Sequence, residues 1–172
     1  MDQTHIINEA AVLPDILAPG LGVVFCGSAA GTASAKAGAY YAGPGNRFWP
    51  MLYKCGLTPR RLAPHEFPTV LQYGIGLTDL SKFQSGADSA LDAAGDDSDA
   101  LAAKIRRVAP RALAFNGKRA AGVYLARKII AYGLQTERLG QTAIFVLPST
   151  SGAARRWWSE APWLALGDYL RR

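Results

Sequence analysis

The sequence predicts an α/β fold in which a central sheet of four parallel strands lies between two layers of helices. Short apolar segments that are typical of buried strands alternate along the chain with segments of helical periodicity. A crossover between parallel strands needs a dozen or more residues, and the predicted strands are far enough apart to allow this. We therefore expect a three-layer α/β/α sandwich over residues 13–172, preceded by a flexible N-terminus at residues 1–12.

The first half of the chain contains two predicted strands with helices between them. The segment "LGVVFCG" (21–27) is apolar and β-branched at its centre, as is typical of a strand that is buried on both faces. Large apolar residues at helical spacing in "NRFWPMLYKCG" (46–56) predict a helix with Pro50 in its first turn. The segment "TPRRLAPHEFPTVLQYG" (58–74) predicts short helical pieces that start from a Thr cap and are divided by prolines. A second strand is predicted over "IGLTDL" (75–80).

The second half supplies the other two strands. A loop rich in Gly, Ser and Asp (81–96) precedes "DSDALAAKIRRVA" (97–109), which predicts a capped helix with one apolar face. The third strand is predicted over "RALAFN" (111–116), and "GKRAAGVYLARKIIAYG" (117–133) predicts a helix. The segment "TAIFVLP" (142–148) predicts the fourth strand, and the residues after "STSG" predict a final Trp-rich helix.

Charge and composition favour a soluble intracellular protein with a polyanionic partner. The net charge is +6, basic residues occur in pairs along the chain, and acidic residues are concentrated at 88–100. Solvated surface residues produce the same pattern, so charge alone does not assign a nucleic acid. The sequence has neither a secretory signal nor an apolar tract long enough to cross a membrane. Cys26 and Cys55 lack the spacing of metal ligands, so we expect reduced thiols and no metal site.

The loops that follow the four strands form the candidate site, because ligands of such folds bind beyond the carboxyl ends of the strands. In the first loop, Tyr40 and Tyr41 offer aromatic faces on which a planar base can stack. We expect one of these tyrosines to pack on the sheet instead. The spacing of glycines in "GSAAGTAS" is neither GxGxxG nor a P-loop, so a nucleotide cofactor is not favoured.

Polar side chains end the second and third strands. Asp79 lies where a carboxylate can act as a general base or stabilise positive charge, although a helix cap or an ion pair would equally explain it. Asn116 can read a base edge through its amide, or it can satisfy the backbone of a loop. After the fourth strand, Arg155 and Arg156 follow a tight turn, which suits contact with phosphates but also suits a solvated surface.

Five segments occur in the order and spacing of a known family: "VVFCGSAAG", "YYAGPGNRFW", "YGIGLTDL", "AFNGK" and "LPSTSG". From about residue 13 to residue 170 the chain resembles the mismatch-specific uracil and thymine DNA glycosylases of the uracil-DNA glycosylase superfamily. The resemblance implies a target nucleotide that is rotated out of the duplex into a pocket. It also implies cleavage of the N-glycosidic bond without metal or cofactor, which leaves an abasic site.

The resemblance gives an expected partner, DNA that contains uracil, and a role for each site residue. We expect a monomer that acts on DNA in a bacterial cytoplasm, associated with the nucleoid. Asp79 is the expected catalytic residue. The expected base-binding residues are Gly27, Ser28, Ala29, Tyr41 and Asn116, and the expected DNA-binding residues are Lys118, Ser149, Ser151, Gly152, Ala153, Arg155 and Arg156.

Two motifs depart from the family pattern. The family's GINPG motif has an Asn that positions the attacking water, but Ala29 stands at this position in "GSAAG". The NPSGLSR motif appears as "STSGAAR", so that Ser149 replaces the usual Asn and Ala153 replaces the residue that inserts into the duplex. A methyl group fills that gap poorly, which leaves Arg155 or Arg156 as candidates to fill it.

In our interpretation, Asp79 replaces the catalytic group that is lost at Ala29. Relatives often have Asn or Lys at the position of Asp79, so this chain differs from them by having a carboxylate there. A carboxylate beside the base can stabilise the sugar cation and orient or deprotonate water. Two alternatives stay open: a protein that binds damaged bases without cleaving them, and a glycosylase for hypoxanthine or xanthine. Without a large inserting side chain, we expect activity on both single-stranded and double-stranded DNA.

Overall fold

The computed structural model describes residues 11–172, in which one sheet of five strands lies between two layers of helices. The strands and α-helices are, in chain order, β1 Val23–Gly27, α1 Thr32–Ala37, α2 Phe48–Lys54, β2 Ile75–Asp79, α3 Ser98–Val108, β3 Ala112–Asn116, α4 Lys118–Leu125, β4 Gly133–Leu139, β5 Thr142–Leu147 and α5 Ala161–Arg171. Short 3-10 helices cover Pro64–Tyr73, Asp88–Ala90, Ala93–Gly95 and Gly152–Trp157.

The four predicted strands are confirmed, and they are parallel to one another. The strand order is β2-β1-β3-β5-β4, in which β1 pairs with both β2 and β3, and β3 pairs with β5. All residues of these four strands are buried, as the continuous apolar run of β1 predicted for that strand. Their carboxyl ends therefore meet at one edge of the sheet.

The predicted strand count is wrong by one, because β4 pairs with β5 in the antiparallel direction at the edge of the sheet. Its residues alternate between half-buried and exposed, so β4 lacks the apolar run that marks the other strands. The helix predicted over 117–133 is correspondingly too long. It ends at Leu125, where Ala126 adopts a left-handed conformation with φ of 53°.

Two other helical predictions need correction. The first loop contains the short helix α1, whose small residues give no apolar periodicity. The helix start predicted at the Thr58 cap is wrong, because the Thr58 hydroxyl donates to the carbonyl oxygen of Arg60 and the 3-10 helix begins only at Pro64. The predicted helices α2 and α3 are confirmed: Pro50 lies in the first turn of α2, and Asp97 caps α3 by accepting from the Ala100 amide.

Each face of the sheet is covered by its own apolar cluster. On one face, Phe48 of α2 and Trp163 of α5 pack against Phe25 of β1, with ring centroids 5.2 Å and 5.6 Å from that of Phe25. On the other face, α3 and α4 cover the sheet, with Leu101 and Ile105 fully buried. Truncation of a buried aromatic such as Phe48 costs roughly 3–5 kcal/mol in comparable cores.

The expected flexible N-terminus, 1–12, lies outside the described residues except at its end. There the Val12 amide donates to the carbonyl oxygen of Lys82, and Val12 packs against the core. None of the helices in the described part of the chain is long and apolar enough to cross a membrane.

Candidate active site

A cavity of about 560 Å³ lies at the carboxyl ends of the parallel strands. It brings together most of the residues that the sequence predicted for the site. These are Gly27, Ser28, Ala29, Tyr41, Asp79, Asn116, Ser149, Ser151, Gly152 and Ala153. The predicted DNA-binding residues Lys118, Arg155 and Arg156 do not line the cavity.

Asp79 is the last residue of β2 and lies in the wall of this cavity. Side chains of a strand alternate between the two faces, so Asp79 shares the face of Ile75 and Leu77, which is covered by the core. Only 4% of Asp79 is exposed, and within residues 11–172 its carboxylate accepts no hydrogen bond. Burial raises the pKa of the Asp79 carboxyl to about 6, and the positive charge of Lys82 opposes this rise.

An ion-pair network lies close enough to Asp79 to act on its charge. Lys82 Nζ is 2.9 Å from Asp15 Oδ1 and donates to the Tyr40 hydroxyl at 3.1 Å. Lys104 Nζ is 2.7 Å from Asp15 Oδ2, and the Thr78 hydroxyl donates to Asp15. Both lysines already pair with Asp15. Their positive charges therefore only partly oppose the rise in the pKa of Asp79 that desolvation causes.

Gly27 keeps open the space in front of the Asp79 carboxylate. In the parallel register of β1 and β2, Gly27 lies directly opposite Asp79. A Cβ atom on residue 27 would lie 2.8 Å from Asp79 Oδ1 and 3.3 Å from the Tyr41 hydroxyl oxygen. Both polar groups therefore border one small volume above Gly27, which a larger residue would fill.

Tyr40 and Tyr41 have different surroundings, and one of them, Tyr40, packs in the core. Tyr40 is 1% exposed and packs on Phe67, and its hydroxyl donates to the Pro14 carbonyl oxygen. Tyr41 has a left-handed backbone with φ of 53°, and its ring stacks on Phe48 with a centroid distance of 3.9 Å. Its hydroxyl is buried and has no partner among the described residues. Burial, and next the charge of Asp79, raise the pKa of Tyr41 well above its usual value and outweigh the nearby Asn116 amide, which lowers it, so the phenol stays protonated.

Asn116 uses its amide to hold the loop that follows β5. Its Nδ2 donates to the Thr150 hydroxyl at 2.9 Å, and its Oδ1 accepts from the Thr150 amide at 3.0 Å. The loop-holding alternative for Asn116 is therefore present in the structure. One amide hydrogen and one lone pair are left for a ligand.

The loop over 149–154 forms the opposite wall and packs closely on the first loop. A Cβ atom on Gly152 would lie 2.7 Å from the Pro44 carbonyl oxygen, so the two backbones are in direct contact. Arg155 continues this contact, with its Nη2 atom 3.2 Å from the Cβ position of Gly45. Lys118 is turned elsewhere, since its ammonium lies 4.3 Å from the ring centroid of Tyr132.

Sequence reasoning missed three parts of the site. Residues 86–89 also line the cavity, because the Gly86 amide donates to the Ala30 carbonyl oxygen and joins this loop to the first one. Thr150 is hydrogen-bonded to Asn116, and Lys82 is hydrogen-bonded to Tyr40, although the two residues of each pair are distant in sequence. No local pattern marks such pairs. In the described part of the chain, no three His, Cys, Asp or Glu side chains are grouped as metal ligands.

A buried carboxylate at the end of β2 and a protonated phenol from the first loop thus border one cavity, and such a pair is capable of acid-base chemistry. The model of the uracil DNA glycosylase superfamily matches residues 14–167 of this chain. The chain belongs to this superfamily, which supports a role as a DNA glycosylase.

A solved structure agrees with this assignment. The chain is similar to a protein from Methanosarcina acetivorans that was studied by solution NMR and proposed to be a uracil DNA glycosylase. The two sequences are 26% identical, and the structures superpose with a TM-score of 0.68. The similarity covers 93% of this chain and 97% of the other.

Proposed function

We propose that this protein is a monofunctional uracil-DNA glycosylase that acts as a monomer and needs neither metal nor cofactor. It rotates uracil out of DNA and hydrolyses the N-glycosidic bond, which leaves an abasic site. One observation carries the proposal most directly. The Asp79 carboxylate and the Tyr41 hydroxyl, each without a hydrogen-bond partner in residues 11–172, border the same volume above Gly27.

Asp79 supplies the catalytic charge in this proposal. Its pKa of about 6 leaves the carboxylate mostly ionised at neutral pH. As the bond between C1′ and N1 breaks, its electron pair moves to uracil, and positive charge develops on the sugar. The buried carboxylate stabilises this charge and accepts a proton from the water whose oxygen bonds to C1′. Asp79 thereby replaces the amide that the family pattern places where this chain has Ala29.

Tyr41 binds the base in this proposal. One face of its ring is covered by Phe48, so the face turned away from Phe48 is available for stacking. Its protonated hydroxyl donates a hydrogen bond to a carbonyl oxygen of the base, while the remaining amide hydrogen of Asn116 reads a second polar atom. Gly27, Ser28 and Ala29 form the adjacent floor of the cavity.

The loop after β5 binds the DNA backbone. The hydroxyls of Ser149 and Ser151 and the backbone of Gly152 lie at the cavity wall, where the sugar and phosphates of the extruded nucleotide pass. Arg155 and Arg156, which follow this loop, add positive charge for the phosphates, and Lys118 adds charge beside Tyr132, outside the lining of the cavity. Because Ala153 offers only a methyl group, the protein holds a duplex less firmly and accepts single-stranded DNA as well.

The test is an excision assay on matched oligonucleotides. Purified protein is incubated with single-stranded and duplex DNA that contains uracil, a G:T mismatch, hypoxanthine or xanthine, and alkali-labile sites are counted. We expect cleavage after excision of uracil in both forms of DNA. Strict dependence on a G:U mismatch would contradict the expected strand preference, and binding without any abasic product would identify a base-binding protein instead of an enzyme.

The size of the cavity favours one second candidate. At about 560 Å³, with small residues at 29–31 in its floor, the cavity has room for a purine as well as a pyrimidine. Faster excision of hypoxanthine or xanthine than of uracil in the same assay would show that a deaminated purine is the preferred substrate.

A further inference from the structure

Trp157 differs from the other tryptophans of the chain because its side chain lies largely in solvent. It is 67% exposed, whereas Trp49 is 3% exposed and Trp163 is fully buried. Its neighbour Trp158 turns inward, with its ring 6.4 Å from that of Trp163 and with the guanidinium of Arg47 at 5.0 Å. Single exposed apolar side chains are common on protein surfaces, so only the position and the charged neighbours of Trp157 point to a ligand.

The backbone of Trp157 lies close to the wall of the cavity. It ends the 3-10 helix Gly152–Trp157, whose first three residues line the cavity wall. The segment is kinked at Ala154 (φ −97°, ψ 22°), and from there a rise of about 2 Å per residue places the backbone of Trp157 within about 6 Å of Ala154. Contact between Gly152 and the carbonyl of Pro44 fixes the helix to the opposite wall.

The surroundings of Trp157 suit a base from a DNA strand. The guanidinium of Arg156 lies 5.4 Å from the centre of the indole ring of Trp157. Arg155, the residue before Arg156, is exposed to solvent. Cationic groups beside an exposed aromatic ring are the combination that binds single-stranded nucleic acid, since the charges contact phosphates while the ring stacks on bases.

We infer that Trp157 stacks on an unpaired base next to the extruded nucleotide and so provides the support that Ala153 is too small to give. Arg156 holds the indole in place and contacts the adjacent phosphate. The inference rests on the proposed function, because it takes DNA as the ligand. It assigns the role of the missing inserting residue to a side chain four positions further along the chain.

The test uses DNA that contains a tetrahydrofuran abasic analogue, which the enzyme cannot hydrolyse. Binding of single-stranded and duplex forms is measured by anisotropy for the wild type, Trp157→Ala and Trp157→Phe. Tyr53→Ala is the matched control, because Tyr53 is 53% exposed and does not line the cavity. Tryptophan fluorescence is recorded during the same titrations.

We expect Trp157→Ala to bind both forms about tenfold more weakly, which is the effect of losing one stacked base. Trp157→Phe should recover most of the affinity, Tyr53→Ala should bind like the wild type, and DNA should quench wild-type fluorescence but not that of Trp157→Ala. Equal affinity of Trp157→Ala and the wild type, or absence of quenching, would overturn the inference.

The same experiments separate this inference from the proposed function. If the wild type excises uracil but Trp157→Ala binds DNA normally, only the inference is wrong. If the wild type excises nothing but shows binding and quenching that depend on Trp157, the inference holds and the catalytic proposal is wrong. A wild type that binds neither form of DNA contradicts both.

Discussion

The polar side chains that end β2 and β3 are similarly buried, but they differ in their hydrogen bonds. Asp79 is 4% exposed and Asn116 is 9% exposed. The Asn116 amide both donates to and accepts from Thr150, whereas the Asp79 carboxylate accepts no hydrogen bond from any described residue. Buried polar groups are nearly always paired, so an unpaired carboxylate is the exception that calls for a function. We therefore propose that Asn116 holds the walls of the site in place and that Asp79 performs its chemistry.

The unpaired state of Asp79 has a cost in stability. Desolvation disfavours the charged form and raises the pKa of the Asp79 carboxyl to about 6, so keeping the group ionised at neutral pH costs free energy. Asn116 has the opposite effect, since its two hydrogen bonds fix the loop that forms one wall of the cavity. A desolvated charge at one strand end and a hydrogen-bonded wall at the other together form a preorganised site.

The largest expected effect is on the rate of excision when Asp79 loses its charge. Asp79→Asn should lower the single-turnover rate by ~10²-fold or more, the usual scale for loss of an acid-base group. Asp96→Asn is the matched control, because Asp96 is also a buried carboxylate but pairs with Arg119 outside this cavity. Its rate should stay near that of the wild type. A near-normal rate for Asp79→Asn would remove Asp79 from the mechanism.

The same two variants should change stability in opposite directions at pH 7. The folded protein holds the Asp79 proton up to a pKa of about 6, above the ordinary value of 3.8 in an unfolded chain, so its stability falls as pH rises between these values. Asp79→Asn should therefore raise the free energy of unfolding by about 3 kcal/mol at pH 7, with little gain at pH 4. Asp96→Asn should lower it, since Arg119 loses its partner. Urea unfolding at both pH values measures the difference.

A smaller effect is expected at the other strand end. Asn116→Ala should lower the free energy of unfolding by about 1–3 kcal/mol, because the Thr150 amide and hydroxyl lose their partner. The double variant with Thr150→Val should lose less than the two single variants together, since both remove one shared hydrogen bond. If Asn116→Ala left stability unchanged but abolished excision, the roles assigned to the two strand ends would be reversed.

The sequence predicted the elements whose local pattern determines them. Continuous apolar runs identified the four parallel strands, and the strand-end rule placed Asp79, Asn116 and Tyr41 around one cavity. The edge strand β4 escaped prediction because its alternating polar sequence gains its structure from pairing with β5. The helix predicted over 117–133 is too long because no glycine marks its end. The helix ends where Ala126 adopts a left-handed conformation, which glycine adopts far more often.

The hydrogen bonds of the site could not be read from the sequence. Asn116 and Thr150 are separated by 34 residues, and Tyr40 and Lys82 by 42. Only the folded chain decides which polar group finds a partner and which is left without one. The sequence alone therefore does not separate a functional role from a structural one for Asp79 or for Asn116. The hydrogen bonds around each side chain in the folded chain distinguish the two residues.

The most direct measurement of the central claim is the pH dependence of single-turnover excision, for the wild type and for Asp79→Asn, between pH 4.5 and 8. If the ionised carboxylate performs the chemistry, the wild-type rate should rise about tenfold per pH unit below pH 6 and level off above it. The rate of Asp79→Asn should be low and lack this inflection. A wild-type profile that is flat through pH 6, or an Asp79→Asn profile with the same inflection, would contradict the account.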